Sequence, residues 1–259
     1  FPVDIPRART EVNRRQETLE IIPTPKVQNQ GFWVDLYLPR DKSWPAGEYE
    51  SRIRVREAGR EVALIPLTIS LRPHFLPDEN HSNIWLYGST QVAASYFPGL
   101  PDSLVERMLK FECHRHRIDL VGCSDAHRSP FDEKIMAGYK PWLDGSAFTP
   151  ANGYWGPGQG QGEKLFTVGI YGSITGRVFD SREEARAESD KWVGWFEKNA
   201  PGVTYFWYMI DEPGPVQFPW ISERAAWVHE NPGPGKRLPV FTTRSYTPEL
   251  DKAIDIWAG

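Results

Sequence analysis

At 259 residues the chain is long enough to bury a sizeable core in one large domain or two smaller ones. A net charge of −4 and a pI near 5.9 leave no basic footprint for nucleic acid or an anionic membrane surface, and no apolar stretch approaches the roughly 20 residues of a membrane span. The 11 Trp, 10 Tyr and 13 Phe exceed what core packing requires, and many fall in loop-like stretches where flat sugar faces or partner surfaces could stack.

The chain opens on Phe1 without a charged region followed by an apolar one, so the natural N-terminus is expected to lie upstream. Residues 1 to about 76 read as β structure, half of an antiparallel sandwich. Three segments alternate apolar with polar residues: Gly31 to Leu38, Glu48 to Arg56 and Val62 to Leu71. Glu57-Ala58-Gly59-Arg60 supplies a hairpin turn, and Arg72 to Asn80 reads as a linker.

From residue 77 the rhythm becomes strand then helix. Strands are expected at Asn83–Gly88, Ile118–Gly122, Leu165–Tyr171, Val203–Ile210, Leu238–Thr243 and Ala253–Trp257. Helices are expected from Asp102 to about Arg117 and, behind the capping box of Ser181 with Glu184, to about Asn199. Strands alternating with helices call for a parallel sheet, and their order favours a (β/α)8 TIM-type barrel. Six strands are two short of closure. The chain is therefore expected to be a fragment, residues 1–76 a partial β-sandwich and residues 77–259 the N-terminal portion of the barrel, poorly active and prone to aggregate by itself.

The run Val203–Ile210 is the most apolar in the chain and ends on two adjacent carboxylates, Asp211 and Glu212, followed by Pro213. A strand buried on both faces has no place for charge, so the carboxylates fall at its C-terminal end, where parallel α/β folds hold their chemistry. Neighbours on a strand point oppositely, so both can serve one pocket only where the chain leaves extended geometry, and Pro213 helps set that point. Crowded carboxylates cannot both ionise freely, and one is expected to titrate high enough to donate a proton. The competing explanation is the acidic first turn of a helix.

Several landmarks resemble bacterial proteins related to glycoside hydrolase family 123: Pro45-Ala46-Gly47-Glu48-Tyr49, Ile65-Pro66-Leu67-Thr68 and Phe75-Leu76-Pro77, then His116-Arg117-Ile118, Asp211-Glu212-Pro213 and Asp255-Ile256-Trp257. Together they cover roughly residues 30 to 259, and their order and spacing carry the resemblance more than any one of them. The resemblance implies hydrolysis of β-linked 2-acetamido sugars in which the substrate's own acetamido group is the nucleophile, with Glu212 as acid/base and Asp211 polarising the acetamido nitrogen. It also implies a secreted or periplasmic location. The segment Leu143 to Pro150 departs from the pattern.

Trp207, Tyr208, Arg244, Tyr246, Trp257, Tyr171 and Trp142 are the candidate sugar-binding residues, Trp257 and one of Trp207 or Tyr208 being expected to share a cavity with Glu212. Asp125 and His127 follow the second strand and are further candidates. Residues 123–164 are expected to be a long insertion on the catalytic side, with Tyr154 and Trp155 as further platforms. The glycine-rich stretch from Gly156 to Gly162 follows no strand and lacks a Lys-Ser/Thr ending, which sets nucleotide binding aside. His114 and His116 precede their strand and suit a helix C-terminus better than a metal site, and Cys113 and Cys123 have no zinc spacing. No metal or cofactor is expected, and a glycan or glycoside is the expected partner. Two alternatives remain open from the residues alone: a retaining glycosidase whose nucleophile lies on a later strand, and a non-catalytic carbohydrate-binding protein.

Overall fold

The computed structural model of the protein describes residues 10–12, 21–23, 36, 38, 44–122, 124–127, 130–170 and 179–258. Near the N-terminus β1 (Thr10–Val12) and β2 (Ile21–Pro23) form a short antiparallel ribbon. A longer hairpin joins β3 (Gly47–Glu57) to β4 (Arg60–Leu71). Its two turn residues, Ala58 at φ 46° and Gly59 at φ 81°, are both left-handed, and such a turn matches the right-handed twist of the strands it connects. Leu64 and Ile65, on opposite faces of β4, are 43% and 48% exposed, so among the described residues the ribbon is not packed into a sandwich. The strand expected over residues 31–38 lies outside the described residues except at Leu36 and Leu38.

The remainder alternates strands and helices: β5 (Trp85–Tyr87), α1 (Thr90–Ala94), α2 (Asp102–Arg115), β6 (Asp119–Val121), α3 (Glu133–Leu143), β7 (Leu165–Val168), α4 (Arg182–Asn199), β8 (Thr204–Ile210), α5 (Phe218–His229), β9 (Val240–Thr242) and β10 (Ile256–Trp257). All its pairings are parallel. β5 pairs with β6, and a four-stranded sheet runs β10-β9-β8-β7. Between the two sheets a carboxylate stands in for a ladder: Asp119 accepts the backbone N–H groups of Lys164 at 3.0 Å and Leu165 at 2.8 Å. The architecture is mixed α/β with small sheets, and no closed barrel is present among the described residues.

The helix ends follow local chemistry. Ser181 caps α4 by accepting the Glu184 N–H at 3.1 Å, while the Glu184 carboxylate takes the Asp180 N–H. α2 closes with the N–H of Ile118 on Cys113 O and that of Arg117 on His114 O, both at 3.0 Å. This paired closure requires a left-handed residue, here Arg117 at φ 61° rather than the usual glycine.

Two apolar layers hold the strands. On one face Phe166, Val168, Trp207, Met209 and Val240 pack with Met136, Trp192, Phe196, Ile221 and Val228 of the helices. On the other, Val121, Leu165, Ile170, Phe206, Tyr208 and Phe241 gather around Trp85. β8 is thus covered on both faces, which is why its sequence reads as one continuous apolar run.

The expected insertion at 123–164 takes a different form. Residues 133–143 are the connecting helix α3, capped by Asp132 on the Ile135 N–H. The loop after α3 turns back to the strands' N-terminal ends: Glu163 N–H bonds to Trp142 O, His114 reaches Gly158 O, and Lys164 pairs with Glu79 of the linker. Its compactness depends on glycine, since a Cβ at Gly162 would stand 1.9 Å from Leu143 O. This loop therefore lies at the end of the sheet opposite Asp211 and Glu212.

Candidate active site

The site grows from the C-terminal end of β8. Pairing with β9 moves from Tyr208–Phe241 to Ile210–Thr242, which leaves Met209 as an extra residue. Such a bulge bends a strand and re-aims the side chains beyond it. Tyr208 is fully buried, its ring edge-on to Trp85 at 5.9 Å and to Phe241 at 4.9 Å, and this packing fixes its hydroxyl. That hydroxyl donates to Asp211 Oδ1 at 2.8 Å. A second hydroxyl, that of Thr243, donates to the same oxygen at 2.6 Å. The Thr243 oxygen in turn accepts the backbone N–H of Glu212 at 2.8 Å.

Glu212 has φ 41°, a left-handed conformation that costs a non-glycine residue roughly 1–2 kcal/mol. The strand's alternation is thereby broken between the two carboxylates, the local condition expected from Asp-Glu-Pro. The competing helix-turn explanation does not hold, because a 3-10 turn at Pro215–Gln217 intervenes before α5 begins at Phe218. Asp211 is half-buried and Glu212 exposed. Arg244 braces the following residue: its Nη1 donates to Pro213 O at 2.8 Å and its Nε to Thr247 Oγ1 at 2.9 Å, with the guanidinium 5.2 Å over the Phe218 ring.

The other sequence-predicted residues scatter. Trp207, next to Tyr208 and so on the opposite face, is 1% exposed and edge-on to Phe179 in the helix layer. Trp257 pairs with Thr242 and packs on that same layer, while its neighbour Ile256 takes the Tyr208 side. Among the described residues Trp257 therefore lies on the face opposite Tyr208 and does not share the expected cavity with Glu212, and of these candidates Tyr208 is the one bonded to Asp211. Tyr246 is 59% exposed, donates to Asp251 at 3.1 Å and leans edge-on against Trp257. Trp142 packs against Phe111 and Phe148 beside the loop at the opposite end of the sheet, where Tyr154 is buried and Trp155 exposed. Tyr171 and Cys123 lie outside the described residues.

His114 and His116 diverge. The first stacks on Phe148 at 3.6 Å, where burial pushes its imidazole below its ordinary range; the second sits on Glu112 at 3.2 Å. Asp125 is exposed. His127 is buried in a polar network between the strands and α2 and α3, its Nε2 2.9 Å from the Tyr139 hydroxyl. Lys110 donates to Tyr139 at 2.7 Å and Glu163 at 2.9 Å, and Tyr139 donates to Glu163 at 2.7 Å. Burial and the nearby Glu163 push Asp119 up to about 7. Among the described residues no group of three or more His, Cys, Asp or Glu side chains is placed to hold a metal, and no helix is long and apolar enough to cross a membrane.

Sequence reasoning missed Thr243 and the network of Lys110, Tyr139 and Glu163. Thr243 follows β9 by the same positional logic that selected Arg244, but a hydroxyl after a strand is too common to stand out. Lys110 is a charged residue on the buried side of α2, beside Phe111, and that placement was the available signal. Compared with family models and with curated proteins, the sequence finds no match in either.

Proposed function

We propose that the protein is a glycoside hydrolase of the family 123 type, cleaving β-linked 2-acetamido sugars by substrate assistance. The observation that carries this is the Asp211 carboxylate: at the C-terminal end of a parallel strand it takes two hydroxyl protons on one oxygen, directly beside an exposed Glu212 in a left-handed turn. An Asp211 fixed by two hydroxyl groups suits the task of accepting the acetamido N–H and balancing positive charge as it develops. Glu212, exposed and next in sequence, has the freedom to meet a glycosidic oxygen.

In the first step the acetamido carbonyl oxygen attacks C1, the C1–O bond to the leaving group breaks, and Glu212 passes its proton to the departing oxygen. An oxazolinium results. In the second step water adds at C1, Glu212 takes its proton, and the oxazoline C–O bond opens to restore the acetamido group with retained configuration. No carboxylate across the ring is required, unlike the usual retaining pair held about 5–5.5 Å apart. We further propose that the six parallel strands belong to a TIM-type barrel, which is supported by neighbours in sequence pairing in space and by burial of both faces of β8.

The test is a comparison of aryl β-glycosides carrying a 2-acetamido or a 2-hydroxyl group, offered to the protein in its natural full length. Release of the aryl group from the acetamido series alone is the expected result. Equal cleavage of the 2-hydroxyl series would remove substrate assistance.

A further inference from the structure

We infer that Thr243 is the positioning residue of this site, setting both carboxylates through one hydroxyl group; the inference rests on Asp211 and Glu212 being the catalytic pair. A threonine hydroxyl offers one proton and two lone pairs. The proton goes to Asp211 Oδ1 at 2.6 Å. A lone pair receives the Glu212 N–H at 2.8 Å. A backbone N–H can only donate, so Thr243 Oγ1 is an acceptor there and its proton is left for Asp211.

The neighbouring residues make this contact one tooth of a clasp. Thr242 Oγ1 donates to Ile210 O at 3.1 Å, Thr243 bonds both Asp211 and Glu212, and Arg244 donates to Pro213 O. Three consecutive residues after β9's midpoint thus hold four consecutive residues at the end of β8. Within the clasp Thr243 alone reaches the two carboxylate-bearing residues. It does two things there. It helps hold the Glu212 backbone in a left-handed conformation that a non-glycine residue rarely keeps without support, which sets the direction in which the Glu212 side chain leaves the strand. Together with Tyr208 it also fills Asp211 Oδ1, so that among the described residues Oδ2 is the carboxylate oxygen left to receive a substrate N–H.

The experiment compares Thr243→Val, which keeps the shape and loses the hydroxyl, with Thr243→Ser, which keeps the hydroxyl. Both are assayed as the natural full-length protein on 2-acetamido aryl glycosides of graded leaving-group acidity, below the melting temperature of each variant. A misplaced reacting group costs about a hundredfold, so Thr243→Val should lower kcat by about ten- to a hundredfold for poor leaving groups, and by less but still measurably for acidic ones, because the share lost through Glu212 shrinks there while the share lost through Asp211 remains, with KM changed far less. Thr243→Ser should restore kcat to within a few-fold of the wild type.

Should the valine variant not fold, Thr243→Ala carries the same comparison; failure of both to fold would mark the hydroxyl as structural and overturn the assignment. So would a folded Thr243→Val enzyme with wild-type kcat, or a serine variant as slow as the valine one. A wild-type protein inert toward every 2-acetamido glycoside would instead defeat the proposed activity and take the positioning role with it, so the two failures are distinct.

Discussion

Asp119→Asn isolates what it costs to bury a carboxylate between the two parallel sheets. In the folded protein burial, aided by Glu163, raises this group from 3.8 to about 7, against the pull of two backbone N–H bonds. In the unfolded chain it titrates near the ordinary carboxylate value. Between those limits the folded state binds more protons than the unfolded one, so stability is fully present below about pH 4 and is lost as the pH rises through about 7. At about 1.36 kcal/mol per pH unit, the loss sums to about 4 kcal/mol. Both N–H groups bond to one oxygen, Oδ2, and an amide oxygen can accept both. The asparagine protein should therefore lack this titration while keeping the bridge. Denaturant unfolding of both proteins from pH 4 to 8 should show the variant gaining on the wild type with rising pH and levelling off above about 7. A stability difference, variant minus wild type, that stays flat or falls as the pH rises would mean that Asp119 is ionised in the folded state throughout and that its hydrogen bonds outweigh its burial.

Lys110→Met leaves the buried Glu163 without its cation and should lower unfolding free energy by about 3–5 kcal/mol, whereas adding Glu163→Leu to it should recover a large part of that loss in the same denaturant titration. Trp207→Ala should cost about 3–5 kcal/mol, because the indole is packed on Phe179 in the helix layer; a calorimetric change below about 1 kcal/mol would return Trp207 to the residues available to a ligand.

What the sequence made legible depended on the range of the signal. Ser181 with Glu184, the apolar run ending at Ile210 and the alternation in β3 and β4 are local patterns, and each marks an element that is present. Asp211 and Glu212 were legible as well, since charge at the end of a doubly buried strand stands out against its neighbours. Facing was harder. A one-residue offset sends Trp207 to the helices and Tyr208 to the other layer, and the run Tyr205-Phe206-Trp207-Tyr208 is apolar on both sides, so composition could not choose between them. Trp257 failed for the same reason. The loop before β7 was assigned to the wrong end of the sheet because α3, with Gly138 and Pro141 inside it, did not read as a helix, and without that helix the chain's return to the strands' N-terminal ends was hidden. Thr243 became visible only when β9 was laid against β8, a pairing that joins residues 31 apart.

Leaving-group dependence in Glu212→Gln and Asp211→Asn tests the division of labour between the two carboxylates most directly. Glu212→Gln removes proton donation, so its deficit, about a hundred- to ten-thousandfold for general acid–base catalysis, should shrink as the leaving group becomes acidic enough to depart unprotonated. Asp211→Asn weakens stabilisation of the oxazolinium and should slow every 2-acetamido substrate alike. Rate profiles that diverge in this way are the predicted result; parallel profiles, or wild-type rates in both variants, would contradict the assignment of acid to Glu212 and of charge stabilisation to Asp211.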